Sequence, residues 1–160
     1  MKKKIVVRIL LGIGVLAAGL GVAYADSAPE PEAYTEYSDP LNVVAAIQTN
    51  FEAEAGQQVR LAVYANEDDF LEMAAVKHQG ALNETGLAIV RFRGLKPGEY
   101  AFAAYLDMNG DGRLNRGALG IPTEPIAFSN GIVPKWRRPN FDETKVDVAP
   151  GSVVVITLEN

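Results

Sequence analysis

With 160 residues, 48% of them hydrophobic and 22% charged, the chain has material for one ordinary domain and not for two. Its formal charge of −5, from 20 acidic against 15 basic residues, argues against a nucleic-acid surface and against attraction to anionic lipid. Cysteine is absent, so the chain can form neither a disulfide framework nor a cysteine-linked lipid anchor.

The first 25 residues stand apart from the rest. "MKKKIVVR" is a basic start, "ILLGIGVLAAGLGV" an apolar stretch, and "AYA" at 23–25 the small-x-small pattern of a cleavage site. Together they predict a secretory signal peptide over 1–25, removed before Asp26. The run from Ile5 to Tyr24 is also nearly long enough for an uncleaved anchor with Arg8 near its edge, and membrane contact would then be confined to this segment. Removal takes Lys2, Lys3, Lys4 and Arg8 and no acid, which makes the exported part more acidic still. The expected location is periplasmic or secreted. Residues 26–40, "DSAPEPEAYTEYSDP", are acidic and Pro-rich and predict a solvated linker, with Tyr34 and Tyr37 able to dock on the domain or on a partner.

From Leu41 onward the pattern changes to short alternating runs. "LNVVAAI" sets Leu41, Val43, Ala45 and Ile47 on one face. "QQVRLAVYA" sets Val59, Leu61, Val63 and Ala65 opposite Arg60 and Tyr64. "EDDFLEMAAVKH" has partial helical spacing at Phe70, Leu71, Ala74 and Ala75, and over 69–78 a short helix and an edge strand both remain open. "GLAIVRFRGL" turns Val90 and Phe92 away from Arg91 and Arg93, "LKPGE" is a Pro-Gly turn, and "EYAFAAYLD" opposes Phe102, Ala104 and Leu106 to Ala101, Ala103 and Tyr105. "KVDVAPGSVVVITLEN" gives a short strand, a turn and a closing strand with Val154, Ile156 and Leu158 on one face. Six or more short strands with frequent turns and no βα alternation predict an all-β antiparallel sandwich over residues 41–160.

The chemistry concentrates in "DMNGDGRLN", residues 107–115. Numbered as a calcium loop, Asp107, Asn109 and Asp111 fill positions 1, 3 and 5, Gly112 the sharp bend, the Arg113 carbonyl position 7 and Asn115 position 9. Alternate spacing suits a loop that curls around a small cation and turns every second side chain inward, and hard oxygen donors suit calcium better than magnesium. Position 12 is Ala118 instead of a bidentate Glu, so completion is expected from elsewhere, with Glu124 the candidate. A plain hairpin tip is the competing reading, because Asn-Gly and Asp-Gly both occur here; it leaves Asp107 and Asn115 unexplained.

"GALGIPTEPIAFSNG" at 117–131 predicts a loop held by its own packing. It serves either as a binding surface that brings Glu124 to the cation or as a cover with Ile121, Ile126 and Phe128 plugging one end of the core. In "PKWRRPNF", Trp136 beside two arginines is either a stacking and anion-binding patch or an amphipathic cover for the edge of the core. Catalytic signatures are missing: His78 is the single histidine, and no GxSxG, phosphate loop or dinucleotide fingerprint occurs. A carboxylate pair such as Asp111 with Glu124 is the one opening for a hydrolase, and carboxylates beside a cation suit ligation better than proton donation.

"GLKPGEYAFAAYLDMNGDGRLNRGALGIPTEPIAFSNG" followed by "PNFDE" resembles the bacterial exported family catalogued as domain of unknown function 2141, over roughly residues 41–160. The resemblance implies an immunoglobulin-like or transthyretin-like sandwich and carries no activity with it. Family-typical residues fall on Asp107, Asn109, Asp111, Gly112, Gly120, Pro122, Glu124, Pro125, Phe128, Ser129 and Asn130, while Ile126-Ala127 stand where members often carry an aromatic residue and Gly. The expectation is therefore an exported, non-catalytic module with a calcium loop, binding an unidentified protein or small ligand of the cell envelope. The alternatives are a purely structural calcium-stiffened domain and a carboxylate hydrolase.

Overall fold

The computed structural model describes residues 31–160; the expected signal peptide and the first part of the linker lie outside the described residues. Eight strands follow in order: β1 (Asn42–Thr49), β2 (Gln58–Tyr64), β3 (Val76–Ala81), β4 (Leu87–Arg93), β5 (Gly98–Asp107), β6 (Ile126–Phe128), β7 (Lys145–Val148) and β8 (Val153–Leu158). They form a three-stranded sheet, β4-β1-β8, and a five-stranded sheet, β3-β2-β5-β6, with β7 also on β5. β5 is ten residues long, so one edge holds two short strands end to end: β7 against Gly98–Ala101 and β6 against Ala103–Tyr105.

The inward positions are those that alternation assigned. Val43, Ala45 and Ile47 of β1 meet Val59, Leu61 and Val63 of β2, with Phe102, Ala104 and Leu106 of β5 and Val154, Ile156 and Leu158 of β8 completing one core between the sheets. Phe92 and Phe102 cross it edge to face at 5.6 Å, an arrangement that favours the ring quadrupoles beyond simple burial. Leu41 and Ala65, expected on the same faces, are exposed, because β1 begins one residue after Leu41 and β2 ends one residue before Ala65.

Some local expectations are corrected and one open alternative is resolved. The β1–β8 pair is parallel, whereas the other strand pairs are antiparallel. β7 lies in the larger sheet, so the Pro-Gly turn at 149–152 carries the chain across to the smaller one. Alternation tells which face a strand buries and nothing about its neighbour's direction. Residues 66–73 form turns, with Leu71 at φ 64 and the Asp69 N–H capped by the Asn66 side chain, and β3 follows as an edge strand. The last part of the linker is not free in solvent either. Pro31–Tyr37 forms a 3-10 helix, and the Tyr34 hydroxyl donates to Gln48 on the outer face of the three-stranded sheet. Among the described residues no helix is long and apolar enough to cross a membrane.

A second apolar cluster covers part of the outer face of the five-stranded sheet. Phe70, from the turn after β2, packs on Tyr64 at 5.3 Å, Phe141 at 5.9 Å and Phe128 at 6.2 Å. Phe141 starts a one-turn helix, α1 (Phe141–Thr144), fixed by a capping box in which Asn140 and Glu143 exchange side chain to main chain bonds. Ser129, fully buried, accepts from the Phe102 N–H and donates to the Thr144 carbonyl, while Asn130 at φ 61 donates to the Glu143 carbonyl. The Phe-Ser-Asn and Pro-Asn-Phe-Asp-Glu stretches are thus joined to each other as scaffold.

Candidate functional site

β5 runs directly into the loop at 107–115. Asp107 pairs in register with Gln58, and by alternation its side chain lies on the outer face with Ala103 and Tyr105. Gly110 and Gly112, at φ +74 and +77, let the chain double back where other residues would be strained. Asp107 is buried, at 3% exposure. Its Oδ2 accepts from the Gly112 N–H at 2.9 Å and from Arg60 Nε and Nη2, each at 3.1 Å. Its Oδ1 is buried with no hydrogen-bond partner, and so is Asn115 Oδ1.

The remaining loop oxygens have partners. Asn109 Oδ1 accepts from the Asp111 N–H at 3.1 Å and Asp111 Oδ1 from the Arg113 N–H at 2.8 Å, the short Asx contacts that hold tight turns. Asp111 Oδ2 takes the side-chain amides of Asn109 at 3.1 Å and Asn115 at 3.0 Å. The Asn115 amide, then the Arg113 N–H, hold the Asp111 carboxyl below the usual carboxylate range.

Glu124 does fold back onto the loop, as its distance in sequence required. It is 7% exposed, with Oε1 accepting from Met108 N–H and Oε2 from Asn115 N–H, both at 2.9 Å. The carboxylate therefore bridges the two ends of the loop as a latch. Hydrogen bonds from Gly117 to Ile121 and from Thr123 to Asn115 bring it there. Among the described residues no three His, Cys, Asp or Glu side chains are placed to hold a metal together. A cation in this loop would rest on Asp107 and Asp111 with carboxamide and main-chain oxygens, a donor set suited to a hard ion such as calcium.

Beside the loop, on the same outer face, lies a groove of about 780 Å³. Its floor includes Ala62 and Ala103, which pair in register, so two methyl groups leave a trough between the larger Arg60–Tyr105 and Tyr64–Ala101 pairs. The loops at 112–122 and 134–139 form its walls. Ile121, a candidate plug for the core, is 58% exposed at this rim, and Trp136 is 98% exposed, so it covers no core edge. Ile126 and Phe128 belong to β6 and face the groove and the outer cluster, leaving Ala127 to the main core. His78, on β3, is exposed and lines the groove at its edge, with its ring 5.1 Å from Phe92.

Sequence reasoning placed Arg60 on the polar face of its strand and missed its role. The guanidinium joins the two regions: it holds Asp107, donates to Gln79 at 2.7 Å, and lines the groove. Six basic residues line this groove, drawn from positions 60 to 138, and no Asp or Glu does. The separation in sequence is what hid the cluster.

Fold and loop define a small all-β domain: a two-sheet sandwich with an oxygen-rich loop at the end of its longest strand. The chain belongs to the family described as "uncharacterized protein conserved in bacteria (DUF2141)", whose model matches residues 48–156. No curated protein matches it. Among solved structures it is similar to the major plantain pollen allergen Pla l 1, at 12% identity and a TM-score of 0.35, over 74% of this chain and 93% of that one.

Proposed function

We propose that the protein is an exported, non-catalytic binding module of the bacterial envelope whose loop at 107–115 takes up calcium. The observation that carries this reading is the pair of buried, unpartnered oxygens, Asp107 Oδ1 and Asn115 Oδ1. A turn needs neither. Leaving a buried acceptor unsatisfied costs on the order of 1–3 kcal/mol, and more when it is charged. Hard cations bind oxygens of this kind, and Asp107 Oδ2 meanwhile keeps the turn closed through Gly112. Both oxygens of Glu124 already hold main-chain N–H groups, which favours a positioning role over hydrolysis.

Ala118 in place of the usual bidentate Glu, together with the small number of carboxylates, points to weak binding, about 10⁻⁴ to 10⁻³ M. At ten times that dissociation constant, mass action adds about 1.4 kcal/mol. For a domain of this size that raises Tm by roughly 3 to 8 °C. Thermal melts in calcium against chelator test the reading, with Asp107→Asn and Asp111→Asn expected to remove the shift. A Tm that ignores calcium up to about 10 mM, well above this range, returns the loop to the status of a plain turn.

A further inference from the structure

We infer that the groove on the outer face of the five-stranded sheet binds a small amphipathic anion: a ring-bearing or acyl body carrying one acidic group. The inference deepens the binding half of the proposed function and is independent of the calcium loop. Three observations carry it. First, the groove is built for apolar matter and is of ligand size. Its volume of about 780 Å³ falls within the range typical of small-molecule sites, and Ala62, Leu119, Ile121, Ile126 and Trp136 are among the residues lining it. Leu119 at 87% and Trp136 at 98% exposure stand at its rim with nothing to cover.

Second, its charge is the reverse of the chain's. In a protein with 20 acidic residues, six bases and no carboxylate line this one concavity. Third, half of these bases are uncommitted. Arg60 is held by Asp107, Arg137 by Glu143, and Arg116 by the Gly120 carbonyl, whereas Lys77, Lys135 and Arg138 have no ion-pair partner among the described residues. Unpaired cations beside apolar surface favour a ligand that satisfies both, through a charge-assisted bond at the head and burial of the body. The small-molecule assignment is preferred to an acidic protein segment because the trough lies over the paired methyl groups of Ala62 and Ala103, inside the sheet and between the loops at 112–122 and 134–139, and away from the β3 edge on which a peptide strand would add.

The probe is anilinonaphthalene sulfonate, titrated by fluorescence and calorimetry into the purified protein with calcium and with chelator. The same ring system without its sulfonate is the control. One saturable site per chain is expected, with the uncharged ring about tenfold weaker, the size of one charge-assisted contact. Lys77→Glu combined with Arg138→Glu should weaken the sulfonate about tenfold or more and leave the uncharged ring unchanged, while Ala62→Phe, which fills the trough, should weaken both. Equal affinity for the two probes, indifference to the charge reversal, or non-saturating uptake overturns the inference. So does displacement of the probe by a glutamate hexapeptide at lower concentration than by a naphthalene carboxylate, which would give the groove to an acidic protein segment. Binding that persists in chelator while Tm ignores calcium would defeat the calcium reading alone. A calcium-dependent Tm without saturable probe binding would defeat this one alone.

Discussion

Asp107 is the residue on which the site turns. Its side chain is fully buried, one oxygen fixes Gly112 and Arg60, and the other has nothing to bind. Replacing it with Asn keeps the shape and removes the charge, so the guanidinium of Arg60 loses its counter-ion. Removing one partner of a buried pair costs about 3–5 kcal/mol, and because Arg60 is 31% exposed and partly solvated a loss of about 2 kcal/mol is expected. Urea unfolding without calcium measures it. Arg60→Gln makes the opposite demand. It also destabilises the calcium-free protein, yet it removes a positive charge beside the loop and leaves Asp107 more dependent on a cation, so the calcium shift in Tm should grow relative to the parent protein. A smaller shift in Arg60→Gln than in the parent would mean that Asp107 serves only the ion pair.

At the scale of elements, α1 shows how a one-turn helix positions a wall of the groove. Glu143 closes the capping box on Asn140 and pairs with Arg137, which holds the loop at 134–139 to the helix. Arg137 first, then the Asn140 N–H, lower the Glu143 carboxyl from 4.5 to about 2. Because the folded value lies below the unfolded one, this contribution is fully present above about 4.5 and is lost as pH falls toward 2. The stability difference between the parent and Glu143→Gln should therefore shrink across that interval, as read from urea midpoints at its two ends. The pair is exposed, so the change is modest. A difference that stays constant with pH would assign the effect of the substitution to lost packing.

Across the whole molecule the two outer faces are covered differently. The smaller sheet carries Tyr34 and the 3-10 helix of the approaching chain, and the larger one carries the aromatic cluster, the loop at 107–115 and the groove. A chain that arrives on the face opposite the groove can be tethered without blocking it. Export is the proposal at this scale, and the intact mass of protein recovered from the periplasm should correspond to a chain beginning at Asp26. Full-length protein retained in membranes would show the first segment to be an anchor.

The sequence by itself determined which residues are buried between the sheets. Val59, Leu61, Val63, Phe92, Phe102 and Leu106 could be read from alternation, because a strand with one apolar face has a single way to bury it. It also determined the loop, since the spacing of Asp107, Asn109, Asp111 and Gly112 is local and each side chain acts within a few residues of its own main chain. Everything that depends on partners distant in the chain was left to the tertiary structure. The parallel β1–β8 pair arises because β7 belongs to the other sheet, and Phe70 is drawn into an aromatic cluster that overrides a weak helical period. Glu124 becomes a latch only once the chain folds back, and Arg60 meets Asp107 only through the β2–β5 register. The groove is the extreme case: its bases lie up to 78 positions apart, from Arg60 to Arg138, and only the stacking of two loops over one sheet face gathers them.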